Sequence, residues 1–408
     1  MAYKMLLLGF GMQGKAVLHD LVNSAAASGI VVVDNRPDLH AQLRAYPAGQ
    51  VSGRVLDASD EAALALLMRD ADIVIETLPG SFALPVGRLA ADCGVNLVSS
   101  MYYLNPGETD PGRIQAMRHE IGRIDKKAKE KGIVILTEFG LDPGLDLIMG
   151  AKAIGELDEV LRLDMYGAGI PAPNARANPL KYKFSWSIAG VMRAYQRIAR
   201  IIADGEVRSI SPDSLFEPHN CHHIEVEAAG GPLECFPNGN AAHYAELFGI
   251  RNTVRRMGRY TCRLPGHCAF WDTLVKCGFL RESKLQVGGA PVSPLEFTAA
   301  LLGSQAQFQY AEGEQDMAFV RVDAEGIRAG KDLRLIYDLI DFRDLETGLT
   351  AMQRTVGFTL SLGAGLILEN RLKPKGLLTP LQVPYEDVFP ALEKHNIRVD
   401  RRILEEHS

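Results

Sequence analysis

The chain begins with a glycine-rich segment whose spacing suits a dinucleotide. Gly9, Gly11 and Gly14 lie between a short apolar run and a helical pattern, and Asp34 ends the next apolar run 20 residues after Gly14. In such a segment the first glycine permits a tight turn, the second lets a pyrophosphate approach the backbone, and the third allows helix and strand to pack closely. Free N–H groups at the helix N-terminus favour phosphates. The segment predicts a dinucleotide site, and a glycine-rich turn without a ligand is the alternative.

Two charged residues bear on the kind of dinucleotide. Asp34 would accept hydrogen bonds from the adenosine ribose and repel a 2′-phosphate, which favours NAD. Arg36 follows closely and could hold that phosphate instead, so NADP is the alternative. Asp57 ends a third apolar run and is equally suited to the adenine edge and to a turn. The predicted cofactor-binding residues are Gly9, Phe10, Gly11, Met12, Gln13, Gly14, Asp34, Arg36, Asp57, Thr77, Leu78, Pro79, Ser99 and Ser100.

Alternating strands and helices must position these residues. Apolar runs alternate with helical patterns at 4–8, 30–33, 51–56, 73–75, 97–99 and 133–136. Continuous apolar runs are typical of parallel strands buried on both faces, so we expect a Rossmann-type, doubly wound α/β domain. Farther along, apolar and polar residues alternate at 161–165 and 224–228, and the runs 317–323 and 333–341 are typical of a hairpin with a looser connection. These strands predict a second α/β domain with a mixed, largely antiparallel sheet. Helices are expected over 187–203 and 350–369.

Composition excludes several classes of protein. The 408 residues carry a net charge of −6, which argues against a nucleic-acid-binding protein. The six cysteines form no CxxC pattern, so no disulfide framework is expected. We find neither a signal peptide nor an apolar run that could cross a bilayer, and we expect a cytoplasmic enzyme without membrane contact. The "PHNCHHIE" segment lacks a second ligand group at metal spacing, so no metal site is predicted.

Two segments of the second domain have side chains suited to a polar substrate. The segment "NPLKYKFSWS" combines hydrogen-bonding groups with aromatic rings, although a loop with a core tryptophan would look the same. The segment "RNTVRRMGRYTCRLPGHC" is rich in arginine, whose forked guanidinium suits carboxylates, although most of these arginines fit a solvated helix face equally well. The predicted substrate-binding residues are Lys181, Tyr182, Ser185, Trp186 and Arg263.

These segments, with "GLDPGLD" at 140–146, "FPNGNAAHYAELFGI" at 236–250 and "RLPGHC" at 263–268, resemble the saccharopine dehydrogenases and the related lysine 6-dehydrogenases. The resemblance implies NAD(P)-dependent oxidation of a secondary amine to an imine, which water then splits. Saccharopine would give glutamate and aminoadipate semialdehyde, a step of lysine metabolism. Lysine 6-dehydrogenase activity and a non-catalytic dinucleotide sensor are the alternatives.

The resemblance also assigns roles and domain limits. Asp142, Ser185 and Arg263 would line the substrate site, and Asp142 would deprotonate the amine, with Tyr102 and His267 as rivals. A plain Asp-Pro-Gly turn is the alternative for Asp142. One departure concerns Gly239, because the saccharopine reductases have an arginine for a substrate carboxylate there. The implied domains are a dinucleotide domain at 1–140, a substrate and dimerisation domain at 141–376, and a return to the first domain at 377–408. A homodimer acting on a small amino-acid or opine substrate is expected.

Overall fold

A computed structural model of the protein describes residues 3–24 and 27–405. The chain forms two compact units. One contains the chain through Ile148 together with Gln353–Asn396, and the other contains Met149–Met352 and the chain from Ile397 onward. Both units are therefore built from separate stretches of sequence.

The first unit contains a seven-stranded parallel sheet. Its strands are β1 (Tyr3–Leu8), β2 (Ala27–Asp34), β3 (Val51–Val55), β4 (Ile73–Glu76), β5 (Asn96–Ser99), β6 (Val134–Leu136) and β17 (Gly376–Leu378), the last named by its place in the whole chain. The strand order is β17-β6-β5-β4-β1-β2-β3. Buried apolar runs such as that of β4 form its interior, so the predicted doubly wound fold is confirmed. The prediction missed β17, which has only three residues and pairs with β6.

The helices of the first unit lie between or after these strands along the chain. They are α1 (Met12–Asn23), α2 (Leu39–Leu43), α3 (Glu61–Arg69), α4 (Ala83–Cys93), α5 (Pro111–Lys131), α6 (Leu145–Ile154), α11 (Ala351–Leu368) and α12 (Tyr385–Leu392). The ends of α5 follow local sequence rules: the Asp110 carboxylate accepts a hydrogen bond from Arg113 N–H, and Gly132 ends the helix with a φ of 68°. In α6 and α11 the chain passes from one unit to the other.

The second unit contains a nine-stranded mixed sheet. Its strands are β7 (Glu159–Pro171), β8 (Ala199–Ala203), β9 (Glu206–Ile210), β10 (His222–Val226), β11 (Gly231–Pro237), β12 (Arg256–Arg263), β15 (Asp316–Arg328), β16 (Lys331–Phe342) and β18 (Arg398–Glu405). The main path runs β10-β11-β12-β7-β15-β16-β18, and β8 joins β12 to β9. Only β12 and β7 pair in parallel among these described strands, so the largely antiparallel sheet is confirmed.

The remaining elements of the second unit are short. They are the helices α7 (Ile188–Ala194), α8 (Ala241–Leu247), α9 (His267–Lys276) and α10 (Pro294–Gly303), and the hairpin of β13 (Leu285–Val287) and β14 (Ala290–Val292). No helix in the described part of the chain has the length and apolar character needed to cross a bilayer.

The helix predicted over 187–203 is wrong in its second half. The helix α7 ends at Ala194, and β8 begins at Ala199 and pairs with β9. The connection is Asp204-Gly205, with both φ angles positive, at 56° and 83°. An Asp-Gly pair between apolar runs is a strong hairpin signal, and it competes successfully with the helical spacing here.

The structure also divides the chain differently from the implied domains. The chain re-enters the first unit at Gln353 instead of residue 377. From Ile397 it belongs to the second unit, because β18 pairs with β16 along eight register positions. The expected return over 377–408 therefore ends at Asn396, and residues 406–408 lie outside the described residues.

Candidate functional site

The three glycines after β1 have different structural roles. Gly9 has a φ of 89°, and a Cβ there would lie 2.9 Å from Thr77 Oγ1. A Cβ at Gly14 would overlap the carbonyl oxygen of Gly9. A Cβ at Gly11, in contrast, would have no atom within 4 Å. Gly9 and Gly14 are thus required by the backbone itself, whereas Gly11 leaves open space beside the start of α1.

The N-terminus of α1 is suited to a phosphate. Gly11 caps this helix without a side-chain hydrogen bond, and its first turn contains no acidic residue. The first N–H groups of a helix have no partner within the helix, so they can bind an anion. Met12 is 43% exposed, and the side-chain oxygen of Gln13 is buried without a partner among the described residues. The loop and this helix end together fit a pyrophosphate.

The Asp34 carboxylate, at the end of β2, already has several hydrogen-bond partners. It accepts hydrogen bonds from Phe10 N–H at 2.7 Å, Arg36 N–H at 3.0 Å and Arg36 Nε at 2.8 Å. Burial opposes its ionisation, but the hydrogen bonds from Arg36 and Phe10 outweigh this effect and hold its pKa below the usual value. The Arg36 side chain remains 39% exposed. Asp34 therefore presents a neutralised carboxylate beside an accessible guanidinium.

The second predicted acid, Asp57, is the first residue of a turn. Its carboxylate accepts hydrogen bonds from Ser59 N–H at 2.9 Å and from the Ser59 hydroxyl at 2.7 Å. These bonds hold the pKa of Asp57 below its usual value. The turn alternative accounts for this geometry without a ligand.

The ends of β4 and β5 contain the remaining predicted cofactor residues. Thr77 Oγ1 lies 2.9 Å from Leu8 O and 3.0 Å from Gly9 O, so this side chain supports the glycine loop. Leu78, Pro79 and Ser100 follow the two strand ends. The Ser99 hydroxyl is buried and donates to the carboxyl group of Glu76, a residue that the sequence analysis missed because it ends an otherwise apolar run.

In the second unit, Arg263 lies at the end of β12 with an unusual set of neighbours. Its side chain is 5% exposed and lies over the ring of Tyr182, with 5.0 Å between the guanidinium carbon and the ring centroid. Nη1 donates to Cys262 O at 2.9 Å, while Nε has no hydrogen-bond partner among the described residues. The buried hydroxyl of Tyr182 also lacks a partner there. Buried polar groups are normally paired, so these donors suit an acceptor on a ligand.

His267, the first residue of α9, belongs to the same cluster. Its Nε2 lies 2.9 Å from the hydroxyl of Tyr195, and its ring is 5.5 Å from that of Tyr182. Burial, reinforced by the positive charge of Arg263, lowers the pKa of His267 well below the usual value. The imidazole is therefore neutral at physiological pH. Sequence reasoning missed Tyr195, which lies in an ordinary helical pattern.

The "NPLKYKFSWS" segment distributes its side chains among different environments. Lys181 is exposed, and Trp186 packs against an apolar cluster that includes Trp271. Lys183 is buried and pairs with Glu314 at 2.6 Å, so it is not available to replace a missing arginine. Ser185 lies against β7, with its hydroxyl 3.4 Å from where a Cβ of Gly169 would be, and this buried hydroxyl has no partner among the described residues.

Gly239, which replaces an arginine of the saccharopine reductases, lies beside another arginine. Gly239 has a φ of 69°, a conformation that a side chain rarely adopts. Arg259 Nη1 lies 3.9 Å from where a Cβ at residue 239 would be, and the Arg259 guanidinium lies over the Tyr244 ring at 4.4 Å. A buried guanidinium is therefore present beside residue 239 although residue 239 is a glycine.

The remaining predicted catalytic residues lie in the first unit. Asp142 is exposed in the tight turn from Gly140 to Gly144, where a Cβ at residue 144 would overlap the Gly140 backbone. Tyr102 is half-buried in the loop after β5.

Comparison with known proteins defines the class. The chain matches the model described as the saccharopine dehydrogenase NADP binding domain over residues 5–136 and the saccharopine dehydrogenase C-terminal domain over residues 140–397. Together with the glycine loop, these matches make the protein an NAD(P)-dependent oxidoreductase. Because the second match alone covers more than half of the chain, the chain belongs to the saccharopine dehydrogenase family, and the resemblance seen in the sequence is confirmed.

Curated relatives agree with this assignment. The chain is 28% identical to an alpha-aminoadipic semialdehyde synthase of Arabidopsis thaliana, over 83% of this chain and 37% of the relative. It is 30% identical to the saccharopine dehydrogenase [NADP(+), L-glutamate-forming] of Saccharomyces cerevisiae, over 75% of this chain and 65% of the relative. The chain thus spans less than half the length of the plant synthase and about two thirds of the yeast enzyme.

Solved structures support the fold. The apo saccharopine dehydrogenase (L-Glu forming) from Saccharomyces cerevisiae superimposes with a TM-score of 0.79 at 22% identity, over 99% of this chain and 100% of that chain. The homospermidine synthase of Legionella pneumophila, in complex with NAD, gives 0.65 at 12% identity, over 99% and 92%.

Proposed function

We propose that this protein is an NADP-dependent saccharopine dehydrogenase of the glutamate-forming type. It oxidises the secondary amine of saccharopine to an imine, and water splits the imine into glutamate and aminoadipate semialdehyde. When bound, the dinucleotide supplies the hydride acceptor. The family and the curated relatives support the reaction class, and the arginine cluster of the second unit supports a substrate that carries carboxylates.

The observation that carries the proposal is the environment of Arg263. A buried guanidinium normally has an anionic partner, yet Arg263 makes no ion pair with any residue that the structure describes. Its unpaired Nε and the unpaired hydroxyl of Tyr182 are both donors. A substrate carboxylate accepts from both and neutralises the buried charge. Arg259, beside Gly239, offers a second guanidinium for a substrate that has more than one carboxylate.

The choice of NADP depends on Asp34 and Arg36. A free aspartate at residue 34 would repel a 2′-phosphate and favour NAD, but the comparisons do not support that preference. Arg36 neutralises this aspartate and remains accessible. It can then act as the phosphate ligand, since guanidinium groups bind phosphates by charge-assisted hydrogen bonds.

The proton steps are assigned to residues that can accept a proton. Hydride leaves the carbon only when the attached nitrogen is neutral, so a base must remove the ammonium proton. Burial and the positive charge of Arg263 disfavour the protonated form of His267, so its imidazole is a poor base. Because its Nε2 also contacts the Tyr195 hydroxyl, we assign His267 an orienting role beside Arg263. Asp142, which is exposed in the turn from Gly140 to Gly144, is the proposed base, and Tyr102 is the alternative.

Two measurements test the proposal: a comparison of saccharopine with lysine as substrates, and a comparison of two arginine variants. We expect kcat/KM with NADP to be higher for saccharopine than for lysine. Arg263→Ala should raise KM about ten- to a hundred-fold, since a charge-assisted hydrogen bond contributes about 1.5–3 kcal/mol. The control is Arg255→Ala, an exposed arginine of the same segment, which should leave KM unchanged. Turnover of lysine without turnover of saccharopine would overturn the proposal.

We also propose that the enzyme is a cytoplasmic homodimer. Between residues 270 and 301 of the second unit, six large apolar side chains are 37–58% exposed, and we call them the α9–α10 apolar surface: Phe270, Phe279, Leu285, Val287, Phe297 and Leu301. The Phe279 carbonyl accepts a hydrogen bond from Thr298 Oγ1 at 3.2 Å, which connects its segment to α10. Together the six side chains expose on the order of 500 Å². A stable dimer buries about 800 Å² per partner, so a second copy would find most of the required area here.

A further inference from the structure

A carboxyl group is buried at the carboxyl end of β4, in a position that the proposed chemistry does not use. Glu76 is 0% exposed and is the register partner of Ser99 on β5. One carboxyl oxygen accepts a hydrogen bond from the Ser99 hydroxyl, and the other accepts one from Leu78 N–H at 3.1 Å. Both partners are neutral groups, and no described residue forms an ion pair with Glu76 of the kind that stabilises a buried carboxylate.

The hydrogen bonds of Glu76 connect two loops. Leu78 belongs to the loop after β4, and the Ser99 hydroxyl in turn accepts from Met101 N–H at 3.0 Å in the loop after β5. Both loops contain residues that are predicted to bind the dinucleotide. Through Leu78 N–H directly, and through the Ser99 hydroxyl and Met101 N–H, the carboxyl group therefore fixes the backbone of both loops.

Tyr103 completes the cluster. Its side chain is 5% exposed, and its hydroxyl has no hydrogen-bond partner among the described residues. Gly87 of α4 leaves the room that this hydroxyl fills, because a Cβ at residue 87 would overlap it. Burial and the negative charge of Glu76 both raise the pKa of Tyr103, so the two groups interact electrostatically. Among the described residues that interact with the Glu76 carboxyl group, Leu78 and Ser99 do so by hydrogen bonds and Tyr103 by charge, and only Tyr103 titrates.

Burial raises the pKa of Glu76 to about 7, although the hydrogen bonds from Ser99 and Leu78 act in the opposite direction. A carboxylic acid in this environment is neutral below that pH and ionised above it. An ionised Glu76 would place a negative charge next to the loops after β4 and β5. That charge would repel the phosphates of a dinucleotide bound by these loops.

We propose that Glu76 is a positioning residue that must hold a proton for the loops after β4 and β5 to bind the dinucleotide at full affinity. This inference rests on the proposed function, since it assumes that the first unit binds a dinucleotide. It predicts that affinity falls as Glu76 loses its proton, and that the effect arises through the cluster of Glu76, Ser99 and Tyr103.

The test measures the Kd of NADPH by fluorescence titration from about pH 6 to about pH 8.5. The proteins are the parent, Glu76→Gln and the control Glu130→Gln, an exposed residue on α5. We expect the Kd of the parent and of the control to rise at least about threefold over this range. The Glu76→Gln variant keeps an acceptor oxygen but does not titrate, so its Kd should lack the threefold rise. The 2′-phosphate of NADPH titrates near pH 6 whichever protein binds it, so the ratio of the Kd of the parent to that of the variant isolates Glu76.

The outcomes separate this inference from the proposed function. If Glu76→Gln follows the pH dependence of the parent, the positioning role is wrong. If the parent binds no NADPH at any pH, the proposed function fails instead. Should Glu76→Gln not fold, infrared spectroscopy of the parent tests the same point. A band of a buried protonated carboxyl should be present at about pH 6, lost by about pH 8.5 and altered in Tyr103→Phe, and its absence at about pH 6 overturns the inference.

Discussion

Asp34 and Arg36 show how one side chain changes what another can bind. The position of Asp34 at the end of β2 was predicted correctly from the sequence, but the hydrogen bonds that it accepts from Phe10 and Arg36 depend on the loop conformation, which spacing alone does not provide. The same limit applies to Glu76, whose importance arises only from complete burial and from its contact with Ser99. At this scale a sequence identifies the residue types present and leaves their partners open.

The Arg36→Ala variant tests the proposed cofactor at this scale. It removes the guanidinium that neutralises Asp34 and leaves a free carboxylate. We expect KM for NADP to rise about tenfold or more while KM for NAD changes little, because only NADP has the 2′-phosphate. Steady-state kinetics with both cofactors measure the ratio. Arg44→Ala, an exposed arginine just after α2, serves as the control. An unchanged preference in Arg36→Ala would exclude Arg36 as the phosphate ligand.

At the scale of elements, the glycine loop yields a matched pair of substitutions. Gly11→Val should leave the fold intact, since a Cβ there meets no atom within 4 Å, but its side chain should block the phosphate and abolish dinucleotide binding. Gly14→Ala should instead lower the melting temperature, because its Cβ would overlap the Gly9 carbonyl. Thermal unfolding and dinucleotide titration distinguish the two effects. Normal dinucleotide binding by Gly11→Val would refute the phosphate site.

Helices and strands could be predicted from the sequence where their local residue patterns are clear. The parallel strands were identified because their apolar runs are continuous, and the hairpin of β15 and β16 because two largely apolar runs bracket a short polar connection with glycines. The strand β17 was missed because Gly376–Leu378 begins with a glycine and has only two apolar residues, and because its pairing with β6 joins positions far apart in sequence. The strand β8 was read as helix because the Asp204-Gly205 turn was not weighed against the helical spacing.

The arginine cluster could be predicted only in part. Arg263, Tyr182 and His267 were all named from the sequence, and the structure brings them together. Lys181 and Trp186 come from the same segment, but one side chain is exposed and the other packs in an apolar cluster. Residue types within a segment therefore indicated the chemistry, whereas the orientation of each side chain depended on tertiary packing.

At the scale of the whole molecule, the α9–α10 apolar surface predicts self-association. Phe297→Glu places a charge on this surface, where it would be buried without a partner in a dimer. We expect light scattering to report a dimer for the parent and a monomer for Phe297→Glu. Leu66→Glu, which changes an exposed apolar residue of α3 in the first unit, should remain dimeric. A parent that is monomeric at micromolar concentration would contradict the prediction.

The pairing of β18 with β16 has a consequence for synthesis on the ribosome. Residues 149–352 emerge from the exit tunnel before Ile397, so the nascent second unit presents β16 with an unpaired edge along the eight positions that β18 later occupies. An exposed strand edge is a template for pairing with another chain. The first unit is also incomplete at that stage, since β17 and α12 follow residue 353. Translation that pauses after residue 352 would therefore leave two incomplete sheets, and such a nascent chain would depend on chaperones more than a protein whose domains are completed one after the other.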